Sequence, residues 1–251
     1  MIPDAEAVPP LQNRLLAALP PGEFERLSPH LVQFELERGR TLHEPGDRID
    51  HVYFPLVGVV SLMTLMENGA AIESAMIGPE GAVGLPAAIR QRTAISRAVV
   101  QGKGRALRLS AAVLHEAWTV SPALRDLVDA HGEGLYANVT QSVACNALHS
   151  VEERFCRWML SCHDRVEGHT LSLTQEYLAD ILGVQRTTVT AVARSLQDKG
   201  AIRYRRGQVD IIDRSLLEAS ACECYSVVRR NYDRLPPAAE RPVTSETSAE
   251  P

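Results

Sequence analysis

The stretch LTQEYLADILGVQRTTVTAVARSLQDKGAIRYRRGQVDII, Leu173 to Ile212, decides the fold. Its punctuation predicts helix, tight turn, helix and β-hairpin: a winged helix-turn-helix, which lays its second helix in a DNA major groove. Thr174 stands where an N-cap accepts from an orphaned backbone N–H, and Glu176 follows in the first turn, where a carboxylate suits the helix dipole. Leu178, Ile181 and Leu182 share one face, and Gly183 ends the helix as the residue that tolerates positive φ. The second helix, from about Gln185 to Lys199, splits into two faces. Val189, Val192, Ala193 and Leu196 are predicted to point inward, and Arg186, Thr187, Thr190 and Arg194 outward. Gly200 closes it, and RYRRGQVDII supplies two short strands around an Arg-Gly turn, the wing.

Charge distinguishes a nucleic-acid face from an ordinary solvated one. The whole chain carries −5, yet Gln185 to Arg206 sets Arg186, Arg194, Lys199, Arg203, Arg205 and Arg206 against Asp198 alone, a local +5. A basic patch concentrated on one helix and its hairpin in an acidic protein is the electrostatic footprint of a phosphate-backbone binder.

With 251 residues and 45 % apolar content, the chain has room for two modest soluble domains. It contains no apolar run of membrane-spanning length, and MIPDAEAVPPLQ lacks the basic start and apolar core of a secretory signal, so a cytoplasmic location without membrane association is expected. Five cysteines, Cys145, Cys156, Cys162, Cys222 and Cys224, are an odd number and argue for reduced thiols rather than a disulfide framework. The Cys222–Cys224 CxC pair matches none of the well-defined zinc spacings, so ordinary buried thiols and no metal site are expected.

Outward from the winged helix, residues 1–10 are Pro-rich and read as loose. Residues 11–121 open with helical turns broken at Pro20 and Pro21. They continue as short apolar runs (LVQFEL, HVYFPLV, VVSLMTLM, AIESAMI, RAVVQ, ALRL) between glycine turns near Gly39, Gly46, Gly58, Gly69, Gly78 and Gly102 or Gly104. That rhythm predicts an antiparallel β-roll and, with the helical segments, an α+β fold. Residues 122–149 form a long helix with a 4,3 stripe of Leu124, Val128, His131, Leu135, Asn138, Ser142, Cys145 and His149, read as a homodimer seam. Ser150 to Glu153 is an S-x-x-E capping box that opens the DNA-binding domain, residues 150–225, with a hinge at His149–Ser150. Residues 226–251 turn polar and Pro-rich and are expected to be disordered.

A roll, a long helix and a winged helix in this order resemble the Crp/Fnr family of bacterial transcription regulators over about residues 11–225. Two segments carry the resemblance: G-R-T-L-H-E-P-G-D-R-I-D-H-V-Y-F-P-L-V-G (Gly39 to Gly58), similar to the cyclic-nucleotide-binding fold, and G-V-Q-R-T-T-V-T (Gly183 to Thr190), similar to the family's helix-turn-helix core. It implies a homodimer on a near-palindromic double-stranded operator, with RNA polymerase as a further partner. Arg186 matches the family's base-reading arginine, suited to a guanine O6/N7 pair, and Arg194 looks like a backbone clamp. Thr174, Gln185, Thr187, Thr188, Thr190, Arg205 and Arg206 complete the expected DNA-contacting set. Thr187 and Ala191 stand where many members carry Glu and Arg, which implies an operator unlike the best-known family half-site.

The resemblance also places an effector turn at Gly81, Ala82, Val83 and Gly84, with Arg92 and Thr93 beyond it, where amides and an arginine could cradle an anion. Ala82 replaces the carboxylate that cyclic-AMP-binding members aim at the ribose, and Glu80 is two residues early, so a cyclic nucleotide is disfavoured and the pocket reads as altered or degenerate. An enzyme is not expected, because the chain has no paired catalytic carboxylates, no nucleophile triad, no phosphate loop and no H-E-x-x-H. The competing reading is a ligand-binding regulatory module acting on a protein partner, which the basic wing argues against.

Overall fold

The computed structural model describes residues 12–90 and 93–232; the expected loose N-terminus and the far end of the expected tail lie outside them. Two short helices, α1 (Arg14–Ala18) and α2 (Pro21–Leu27), lead into a five-stranded antiparallel sheet. Its strands are β1 (Val32–Leu36), β2 (Thr41–His43), β3 (His51–Leu65), β4 (Ala71–Ile77) and β5 (Arg97–Ser110). They run in the order β1-β5-β3-β4, with β2 also paired to β5. α3 (Leu85–Ile89) lies between β4 and β5, and α4 (Ala111–Val120) leaves the roll. The fold is α+β, an antiparallel sheet domain followed by helices and a winged helix-turn-helix.

Gly39, Gly46 and Gly69 sit with positive φ between strands, as turns require. Gly58, Gly102 and Gly104 do not end strands. β3 runs through Gly58 and β5 through Gly102 and Gly104, with register shifts between Pro55 and Val60. The cause is close backbone approach: a Cβ on Gly104 would stand 2.0 Å from the Val57 carbonyl oxygen, and one on Gly58 2.9 Å from that of Gly102. The two longest strands therefore bend together at a bulge where no side chain fits.

α5 (Pro122–Leu148) starts at the Ser121 N-cap, whose hydroxyl accepts from the Leu124 amide at 3.1 Å. The expected seam is largely covered by this chain itself: Leu124, His131, Asn138, Ser142 and Cys145 are buried against the roll and the C-terminal helix. A 4,3 stripe of polar residues is equally the signature of a helix packed on its own domain, and here that packing wins. The outer face instead shows Tyr136, 75 % exposed, and Val143, 65 % exposed, with Thr140 and Ala147 completing their row.

The Ser150–Glu153 capping box forms in both directions, the Glu153 carboxylate accepting from the Ser150 amide at 2.7 Å, and starts α6 (Val151–His163). After the winged helix come α9 (Arg214–Ser220) and α10 (Cys224–Tyr232). The expected disorder from residue 226 is thus corrected as far as Tyr232. Val228, Asn231 and Tyr232 are buried, Tyr232 Oη donates to the Met76 carbonyl at 2.8 Å, and Asn231 Nδ2 donates to Asn138 Oδ1 at 3.4 Å.

The C-terminal half shares its core with the roll. Val59, Met63 and Met76 pack in one cluster with Phe155, Trp158, Met159, Leu178 and Leu196. Polar contacts cross the same junction. Trp158 Nε1 donates to Glu73 Oε1 at 3.0 Å, and Ser61 donates to the same carboxylate. Glu73 is only partly covered as a residue, but its carboxyl is enclosed, and burial pushes its pKa up against these hydrogen bonds. Of the described residues, no helix is long and apolar enough to cross a membrane.

Candidate DNA-binding surface and effector turn

α7 (Gln175–Leu182) and α8 (Arg186–Asp198) pack at the αL turn of Gly183, φ 62°, and are followed by β7 (Ile202–Arg205) and β8 (Gln208–Ile211). β6 (Thr170–Ser172) completes a three-stranded sheet in the order β6-β8-β7. Thr174 caps α7, its Oγ1 accepting from the Tyr177 amide at 3.2 Å. The wing turns at Arg206 and Gly207, both with positive φ (47° and 76°), as a two-residue type I′ hairpin requires. Arg206 is the one non-glycine residue with positive φ among the described residues.

Val189, Val192, Ala193 and Leu196 anchor α8 in the core. The opposite side exposes Gln185, Arg186, Thr187, Thr190 and Arg194, with Thr188 half-buried, and Arg203, Arg205 and Arg206 are exposed on the wing. None of these five arginines joins an ion pair among the described residues. Lys199, by contrast, is held by Glu152 of α6, which also accepts from Ser195 at 3.2 Å. The sixth cation of the basic segment therefore fastens α8 to α6.

Two expected contacts carry a structural bond as well. Thr174 is engaged as a cap, and Thr190 Oγ1 lies 2.8 Å from Gln175 Oε1 and 3.0 Å from the Arg186 carbonyl, which ties the two helices together. Gln175, Tyr204 and Arg38 were not singled out from the sequence. Tyr204 Oη donates to the Leu173 carbonyl at 2.8 Å and its amide to Gln197 Oε1 at 2.9 Å, so it seats the wing on α8 and on the segment that enters α7. Arg38, exposed between β1 and β2, lies near enough to Tyr204 to oppose the upward pull of burial on its pKa, as Arg186 does. The signal for Gln175 and Tyr204 was present, polar residues on the inner edge of the motif, but their partners lie 15, 31 and 7 positions away.

The effector-turn residues are divided. Gly81, Ala82 and Val83 are buried. The Gly81 amide donates to the Gly78 carbonyl at 3.0 Å, and the Val83 amide to the Tyr53 carbonyl at 2.8 Å. Asn13 Nδ2 donates to the Gly81 carbonyl at 2.9 Å, and His131 Nε2 lies 3.2 Å from that of Ala82. Gly84, with φ 86°, faces Ile49 and His51, while Thr93 is exposed and bridges to Arg48. Arg92 lies outside the described residues. His131 is held neutral: burial drives its pKa down to about 4, against the Ala82 hydrogen bond and the Glu80 charge. Glu80 itself turns away to Arg165 of the C-terminal half at 2.9 Å.

Comparison with known proteins agrees with this geometry. Residues 33–119 match the model of the cyclic nucleotide-binding domain, and residues 153–220 match that of the Crp-like helix-turn-helix domain. No curated protein matches significantly. Among solved structures, FixK2 from Bradyrhizobium japonicum is 17 % identical with a TM-score of 0.64, covering 76 % of this chain and 98 % of that one. A CRP/FNR-family transcriptional regulator from Thermus thermophilus is 24 % identical with a TM-score of 0.62 over 76 % and 98 %. A CRP-family regulator from the same organism is 18 % identical with a TM-score of 0.63 over 75 % and 96 %. At these identities the neighbours show the fold, while the two domain models, in the order roll then helix-turn-helix, name the lineage: the chain belongs to the Crp/Fnr family of transcription regulators.

Proposed function

We propose that this regulator acts as a homodimer whose two α8 helices enter successive major grooves, about 34 Å apart, on a near-palindromic operator. Five exposed arginines on α8 and the wing, none held in an ion pair among the described residues, carry this reading. Arg186 at the start of α8 reads a guanine edge, Arg194 and the wing arginines Arg205 and Arg206 hold phosphates, and Gln185, Thr187 and Thr188 line the groove between them. Gln185 caps α8 without a side-chain bond, which leaves first-turn amides open to a phosphate oxygen. The exposed row Tyr136, Thr140, Val143 and Ala147 of α5 offers the dimer face, since the inner row is already occupied. RNA polymerase is the partner an activator of this kind would engage.

The roll does not hold a cyclic nucleotide in the family's manner. Ala82 offers no carboxylate to a ribose, the Gly81 and Val83 amides are already bonded, and Asn13 and His131 fill the underside of the turn. The same buried contacts give the roll a route to the DNA-binding half, because any shift of the turn displaces Glu80 and its partner Arg165. A ligand elsewhere on the roll would act by favouring one placement of the two halves over another.

Selection of bound genomic fragments by the purified protein tests the reading. A symmetric motif with half-site centres about one helical turn apart supports it. Recovery of fragments with no shared motif removes it.

A further inference from the structure

We propose that Cys145, His149, Cys222 and Cys224 form a closed Zn²⁺ site that clamps the end of α5 to the connection between α9 and α10. Cys145 and His149 lie one helical turn apart at the end of α5, and Cys222 and Cys224 lead into α10. The four donor atoms lie within 4.8 Å of one another. Cys145 Sγ stands 3.6 Å from Cys222 Sγ, and Cys224 Sγ 3.4 Å from His149 Nδ1. A tetrahedral zinc with Zn–S near 2.3 Å and Zn–N near 2.0–2.1 Å has ligand–ligand edges of about 3.5–3.8 Å, so these pairs already have the right spacing.

The donor set and its surroundings fit the same ion. Three thiolates and one imidazole are the soft, tetrahedral set that selects zinc, and four protein donors leave no open position for catalysis. His149 Nε2 lies 3.3 Å from the Glu223 carboxylate, which holds that nitrogen as the protonated one and leaves Nδ1 for the metal. Gln141 Nε2 donates to Cys224 Sγ at 2.9 Å, the usual support for a ligating sulfur. Three thiolates around Zn²⁺ leave a net charge of −1, and the Arg154 and Arg157 guanidiniums lie within electrostatic reach of Cys145. Binding releases the three thiol protons to solvent and needs no oxidant.

The location gives the site its role. His149 ends α5 and Ser150 begins α6, so the clamp closes on the hinge that sets the DNA-binding half against the long helix. Cys156 and Cys162 of α6 belong to a separate core and take no part.

The test is metal analysis of the full chain purified without chelator from zinc-supplemented medium, followed by exchange with Co²⁺. The expected result is about one zinc per chain, with thiolate charge-transfer and tetrahedral d–d bands in the Co²⁺ form. Zinc content falls about tenfold or more in Cys222→Ser/Cys224→Ser and persists in Cys156→Ser and in Cys224→His. The Co²⁺ spectrum of the unmodified chain stands whether or not the double variant folds. Less than about a tenth of a zinc per chain with no cobalt bands after reduction and reconstitution overturns the proposal, as does zinc that survives the double substitution undiminished.

Discussion

Glu80 and Arg165, both 8 % exposed at the side chain, meet at 2.9 Å across the junction of roll and DNA-binding half. Glu80 also accepts from the Gly78 amide, and Arg165 donates to the Ser161 carbonyl while its own carbonyl receives the Gly58 amide. The pair is therefore hydrogen-bonded on both sides, as a buried ion pair must be if its attraction is to offset desolvation. Removing one partner strands the other: Glu80→Ala is expected to lower unfolding free energy by about 3–5 kcal/mol in urea denaturation, and Glu80→Leu/Arg165→Met to recover a large part of that loss. Equal destabilisation by the single and double variants would deny the coupling.

His131 makes stability depend on pH. Its folded pKa of about 4 lies below the unfolded value of 6.5, so as pH falls through that window the unfolded chain takes up a proton that the native chain refuses. Stability drops on acidification between those values, by about 3 kcal/mol in total, and levels off below pH 4. Glu73, whose pKa burial raises, works in the opposite direction, so the effect is read as the difference between the parent and His131→Gln. The slope of that difference is expected to vanish above pH 6.5. A His131→Gln variant with the parent's pH profile would contradict the assignment.

Two glycines separate close approach from helix propensity. Gly104→Ala places a Cβ against the Val57 carbonyl oxygen within the bulge, where only backbone can yield, and should cost about 3 kcal/mol or more. Gly132→Ala lies mid-helix with nothing within 4 Å of the added carbon and should stabilise by about 0.5–1 kcal/mol. Thermal unfolding of the two variants checks the order.

The outer face of α5 predicts how copies associate. Replacing Tyr136 and Val143 with Lys is expected to convert a dimer to a monomer by light scattering, whereas Asp129→Lys on the same helix should not. A variant pair that remains dimeric would move the interface elsewhere.

What the sequence disclosed was local. The bounds of α5, the Ser150–Glu153 capping box and the Arg206–Gly207 wing turn depend on neighbours within a few positions, and each was legible. The errors all involve distant partners. Gly58 and Gly104 read as turns because glycine is ambiguous between reversal and close approach, and the strand that decides between them is some 46 residues away. The α5 stripe read as a dimer seam because α10, which covers Asn138, looked like the start of a polar tail. The four residues proposed for zinc were not legible as a set, because Cys145 and Cys222 are 77 positions apart and neither half has a recognised spacing. Within the DNA-binding surface, the arginines were readable from charge and helical phase, while Gln175 and Tyr204, which tie the helices and the wing together, were not.

In the proposed complex Arg186 reads bases while Arg205 holds the backbone. The most direct measurement is fluorescence anisotropy of the parent, Arg186→Ala and Arg205→Ala on the selected operator and on its single-base variants, across a salt series. Arg186→Ala should lose about 1–3 kcal/mol on the operator and discriminate no longer at one base pair per half-site. Arg205→Ala should weaken every sequence alike and reduce the log–log salt slope by about 1 per half-site. Equal loss on operator and random DNA for Arg186→Ala, or no salt-dependent binding by the parent, would rule out base reading by this helix.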